Sequence, residues 1–215
     1  MKTFWQSFVA QLTPGVRTLL LLLAGVYVSA SIGGFTHSFD LKMYLAASAA
    51  PFWHGQIWRV VSYALLPNGI FDFLMNSFAL VLLGAQLERH WARGRLWLFC
   101  AITAAGAGLT HLFLASLPMV GAAPVMFGLL IAWAFECGHQ PAQFPLFGEM
   151  TVRQMVLIFA LVSLAIMFFT AGLARTAVMA AGGFTDWLYL WLRHKWLMSR
   201  SGRAVHSERI NRLEL

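Results

Sequence analysis

Two carboxylates stand alone in long uncharged stretches of this 215-residue chain: Asp72 between Arg59 and Glu88, and Asp186 between Arg175 and Arg193. A carboxylate in an apolar medium is expensive to hold, so such residues are the first candidates for proton relay or solute binding. Asp72 follows Asn68-Gly69 at the opening of an apolar run, where an acid also complements a helix N-terminus and caps free amides. Asp186 lies toward the end of the last apolar segment, within reach of Arg193 or Lys195 by snorkelling. Nucleophilic chemistry has weaker candidates. Ser77 adjoins Asn76, and Ser116 lies five residues after His111, but a serine needs a base and oxyanion donors converging on one point. The sequence places no three of these together. Cys137 with His139 is the nearest grouping to a metal site, and two ligands fall short of the three or four that such sites use. No metal, cofactor or disulfide framework is expected.

The elements that must carry these residues follow from charge spacing. The chain is 60% hydrophobic and 11% charged, against about a quarter charged in soluble domains. No charged residue occurs in 18–39, in 96–135 or in 154–174. A bilayer core about 30 Å thick needs about 20 apolar residues per helix, so these stretches predict membrane spans. Pro118, Gly121 and Pro124 divide the middle stretch into two. Six spans are expected, over about 18–35, 71–87, 96–114, 124–135, 154–173 and 176–192. The fold class is therefore an all-α polytopic membrane protein, with an amphipathic segment at 1–15, a membrane domain at 16–195 and a basic tail at 196–215. The connection from Thr36 to Ile70 is too polar to span, yet its Phe52, Trp53, Ile57, Trp58 and Tyr63 suit the membrane interface.

The formal net charge of +7 does not point to nucleic acid, because the basic residues flank apolar segments and form no folded basic face. With six spans, 12 of the 15 basic residues fall on the side of the two termini, leaving Lys42, Arg59 and Arg175 opposite. The positive-inside rule then places both termini in the cytoplasm, and few cysteines with short loops suit a bacterial inner membrane. The six basic residues after Leu192 serve either to bind anionic lipid or an acidic partner or to fix topology.

Gly55-Gln56-Ile57-Trp58-Arg59, then Asn76, then Gly84 with Leu87-Glu88, and Gly121-Ala122-Ala123-Pro124 with Gly128 resemble, in order and spacing, the landmarks of rhomboid intramembrane serine proteases. The resemblance covers about residues 16–195. It implies a six-helix bundle, a serine in a Gly-x-Ser-Gly sequence opening the fourth span, a histidine base on the sixth, and a histidine with an asparagine stabilising the oxyanion. It also implies that Arg59 orders the interfacial loop and that Glu88 ties the end of the second span.

On this chain the nucleophile position is Ala123, and the following glycine is Pro124. The base position is Ala180 if Gly183 is the family glycine, or Met179 if it is Gly182, and no histidine lies between His139 and His194. The oxyanion histidine position is Asp72, four residues before the retained Asn76, and Pro67 replaces a further frequent histidine. A methyl group cannot attack a carbonyl, and a carboxylate repels a developing oxyanion. The expectation is a rhomboid pseudoprotease, not an enzyme, that binds transmembrane helices of partner proteins, as a client-binding factor or as a subunit of a larger complex, in contact with membrane lipids. The rival readings are a protease with an unrecognised nucleophile and a small solute or proton transporter using Asp72 and Asp186. Partner identity, stoichiometry and oligomeric state are not legible in the sequence.

Overall fold

The computed structural model describes residues 12–36, 40–114, 118–138, 141–144 and 148–211. Most of the N-terminal amphipathic segment, together with Ser116 and His139, lies outside the described residues.

Helix α1 spans Pro14–Thr36. Pro14 lies in the segment expected to end at residue 15 and opens this helix, since proline at the first position gives up only an amide that has no intrahelical acceptor. The next two amides are taken by a side chain from elsewhere: Gly15 N and Val16 N donate to the Glu88 carboxylate at 2.7 and 2.8 Å. The first span therefore starts several residues before the uncharged stretch does.

The interfacial connection is a series of short pieces: α2 (Leu41–Leu45) capped by Asp40, α3 (Ala49–Trp53), α4 (Arg59–Ser62) and a 3-10 turn at Tyr63–Leu65. Buried Arg59 holds it together. Its Nε donates to Gln56 Oε1 at 2.6 Å, and its terminal nitrogens donate to the carbonyls of Ala46 and Met43. Tyr63 pins the segment to the bundle by donating from its hydroxyl to Ala104 O at 3.1 Å. Trp53, Ile57 and Trp58 point outward, the placement expected of aromatic and apolar anchors at the headgroup level.

The second apolar segment is one continuous rod made of α5 (Ile70–Ala79), a π-helical turn at Leu80–Gly84 and α6 (Ala85–His90). Helix α7 (Arg93–Leu114) returns, and α8 (Ala123–Cys137) follows a short loop. A two-stranded antiparallel hairpin, β1 (Pro141–Phe144) with β2 (Gly148–Thr151), departs from the expected all-helical chain. Helix α9 runs from Val152 to Asn211 and is broken at Gly172, whose φ of 80° is natural only to glycine. It is thus two helices end to end, and the second continues well past Leu192 into the basic tail.

Among the described residues four helical segments are long and apolar enough to cross a membrane: Pro14–Gly34, Ile70–His90, Arg93–Leu114 and Val152–Phe169. Helix α8, with 15 residues, reaches about 22 Å at 1.5 Å per residue. The expected sixth span is helical but falls outside those four; Asp186, Thr185 and the glycine pair dilute its apolar character. The core joins α1, the π turn, α6, α7, α8 and the second half of α9 through Val16, Leu80, Leu87, Phe99, Leu129 and Leu190. The first half of α9 takes little part in it: only 11% of its apolar window is buried, which leaves a helix whose solvent is lipid.

Candidate functional site

The loop before α8 is built by backbone pairing. Ala47 and Met119 exchange hydrogen bonds at 3.0 and 2.8 Å, and Gly121 N donates to Tyr63 O at 3.2 Å. These contacts hold Gly121 at φ 109°, a conformation in which a side chain is strained. Ala122 is the N-cap, and α8 opens at Ala123, which is exposed, with Pro124 next. Met126 N donates to Ala122 O at 3.0 Å, so missing the Pro124 amide does not interrupt the helix.

Helix α5 brings Asp72 and Asn76 to the same place. Asn76 is buried and donates from Nδ2 to Asp72 Oδ1 at 3.0 Å, while Asn68 N donates to Asp72 Oδ2 at 2.9 Å. The second bond closes the start of α5 as a third-position acid does in a capping box. The same Oδ2 lies 3.4 Å from where a Cβ on Gly121 would stand. A carboxylate with one local donor on each oxygen therefore faces the loop that leads into Ala123.

On α9, Gly182 abuts Ala107 and Pro124, and Gly183 abuts Phe127 and Ile131. Met179 lies three residues before Gly182 and seven before Asp186, on one helical face with them, whereas Ala180 shares the Gly183 face and is exposed. Asp186 does not snorkel. It is fully buried, Oδ1 accepts from the Thr103 hydroxyl of α7, and Oδ2 has no hydrogen-bond partner. Oδ2 packs against Gly128 of α8, where a Cβ would run into it. The arginine that was its expected partner is occupied elsewhere: Arg193 pairs with Glu136 at 2.8 Å and stacks over Trp91, whose indole N–H also donates to Glu136, at 2.6 Å. Lys195 sits over Trp191.

The structure thus brings Asp72 and Asn76 to the Gly121 loop that leads into Ala123, and Gly182 beside Pro124. Arg59 and Glu88 make their contacts elsewhere, in the interfacial loop and at the start of α1. Ser77 Oγ is buried without a hydrogen-bond partner, so no base is poised on it. His111 is buried on α7. Among the described residues no group of three or more His, Cys, Asp or Glu side chains is placed to hold a metal. Sequence reasoning missed Thr103 and the Trp91–Glu136–Arg193 cluster. The small residues Gly106 and Gly108 on α7 were the available signal for the first, since they mark where α9 and the interfacial segment approach.

The rhomboid domain, as a sequence family, matches residues 54–195, from just before the Trp58-Arg59 motif to a point on the second half of α9 beyond Gly182 and Gly183. The chain belongs to the rhomboid family. This rhomboid is also similar to RHOMBOID-like protein 4 of Arabidopsis thaliana, with 38% identity over 74 residues. That match takes in 34% of this chain and 19% of the relative, so the chain spans about a fifth of the length of the protein it matches. Family and apolar helices together make this rhomboid an integral membrane protein.

Proposed function

We propose that this rhomboid is a pseudoprotease that binds transmembrane helices of other proteins without cutting them. The observation that carries the reading is Ala123 at the exposed opening of α8, directly after the Gly121 loop, where a rhomboid needs its serine. Three neighbours point the same way. Pro124 lacks an amide hydrogen, the face of α9 turned toward Pro124 offers Met179 at the base position, and Asp72 brings negative charge to the oxyanion side. Of the two candidates for the lost base, the shared face with Gly182 favours Met179 over Ala180.

Six spans are part of this reading. Gly182 meets Pro124, and one turn further Asp186 meets Gly128, so the second half of α9 runs parallel to α8. Parallel neighbours in a membrane require an intervening return, which the first half of α9 supplies before the break at Gly172. Both termini then lie on one side, and the charge bias assigns that side to the cytoplasm, in a bacterial inner membrane.

The partner is either a client or a fixed subunit of a larger complex. Purification from native membranes in mild detergent, with mass spectrometry before and after cross-linking, distinguishes these. A stoichiometric membrane partner without cross-linker means a subunit, partners seen only after cross-linking mean clients, and none in either condition overturns the helix-binding reading.

A further inference from the structure

A concavity lies where α6 meets the end of α8, at the opposite end of α8 from Ala123. It has a volume of about 340 Å³, in the range of small-molecule sites. Its inner part is apolar, lined by Val81, Leu82 and Ala85, and its outer part is lined by Gln86, Arg89 and His90, with Cys137 opposite. Arg89 and His90 end the span Ile70–His90, which fixes the depth: the cationic end sits at the headgroup level and the apolar end in the acyl region.

The charges around it are arranged for an anion. Among the described residues Arg89 has no ion-pair partner, and His90 uses only Nδ1, toward Gln86 O at 2.9 Å. The two nearby acids are already occupied, Glu136 by Arg193 and Trp91, and Glu88 by the start of α1. The wall is held by Trp133, whose indole N–H donates to Gln86 Oε1 at 2.8 Å. The apolar end coincides with the π turn Leu80–Gly84, a deformation that recurs at functional sites.

We propose that this pocket binds one anionic phospholipid, its phosphate at Arg89 and His90 and an acyl chain along Val81 and Leu82. A soluble anion fits the outer half but leaves the inner half, with exposed Leu82, unfilled; a phospholipid matches both. The site does not depend on whether the chain cleaves or merely binds helices.

The test is native mass spectrometry of the full chain released from phosphatidylcholine nanodiscs doped with phosphatidylglycerol. One phosphatidylglycerol is retained by the parent chain. Arg89→Gln lowers the retained fraction about fivefold, the size expected for one basic residue at an anionic headgroup, and His90→Gln lowers it less. Arg95→Gln removes the same charge from an exposed position outside the pocket and leaves retention unchanged. Should Arg89→Gln not fold, Leu82→Asn at the apolar end carries the same expectation. Equal retention in the pocket variants and Arg95→Gln, or equal retention of phosphatidylcholine, overturns the proposal. Displacement of the lipid by inorganic phosphate alone overturns it too, by assigning the site to a free anion.

Discussion

Glu88 and Asp186 are both buried acids in the same bundle, yet their surroundings differ. Glu88 accepts three hydrogen bonds, from the Thr13 hydroxyl at 2.5 Å and from the amides of Gly15 and Val16. Asp186 accepts one, from Thr103, and its other oxygen rests on Gly128 with no donor. The difference is one of position. A helix start offers unpaired amides to any acid that reaches it, whereas the middle of three packed helices offers only side-chain donors, and here there is one. Asp72, at the opening of α5 with two donors, falls between them. The number of donors follows the number of free backbone amides within reach. It follows that Glu88 is a strut of the fold, and that Asp186 is tolerated by the space Gly128 leaves.

The largest effect is expected at Glu88. Glu88→Ala strands two amides and a hydroxyl at the start of α1, and loss of about 3 kcal/mol, or a fall in Tm of roughly 10 °C in detergent, is expected. Gly15→Ala tests the same contact from the other side, because a Cβ there would stand 2.6 Å from both Glu88 oxygens.

Next comes Gly128→Ala, whose methyl group meets Asp186 and lies 2.8 Å from Thr103 Cγ2. Overpacking of this kind costs about 1–3 kcal/mol. Asp186→Gly in the same chain should recover part of the loss but not all, since the Thr103 methyl remains in the way. A thermal-unfolding cycle over the four proteins reads this coupling, and strict additivity would mean that the two residues do not touch.

The smallest effect is expected from Asp186→Asn, which keeps the shape and the bond from Thr103. A change within about 1 kcal/mol is expected, since only an oxygen without a donor is altered. A loss as large as that of Glu88→Ala would erase the contrast between the two acids and mark Asp186 as a strut in its own right.

Much of this was legible in the sequence. Uncharged stretches located the apolar helices, Pro118, Gly121 and Pro124 located the loop before α8, and the order of Trp58-Arg59, Asn76 and Gly121 located the family. What was not legible depended on contacts between distant segments. Pro14 reads as a breaker unless Glu88, far along the chain, is known to cap the amides after it. Asp186 reads as a residue reaching for Arg193 until the helix phase turns it toward Thr103 and Gly128 and hands Arg193 to Glu136. The hairpin at 141–144 and 148–151 carries no strong alternation of apolar and polar residues, and the break at Gly172 looks like any other glycine in an apolar helix.

The central claim is that no serine chemistry takes place at the opening of α8. It is tested most directly by incubating the purified full chain, and its Ala123→Ser variant, with a transmembrane reporter in proteoliposomes and resolving the reporter by mass. Intact reporter with both proteins is the predicted result, because Met179 or Ala180, Asp72 and Pro124 leave a restored serine without base, oxyanion donor or loop amide. Cleaved reporter with the parent chain would contradict the account outright, and cleavage gained with Ala123→Ser would mean that a working base already faces that position.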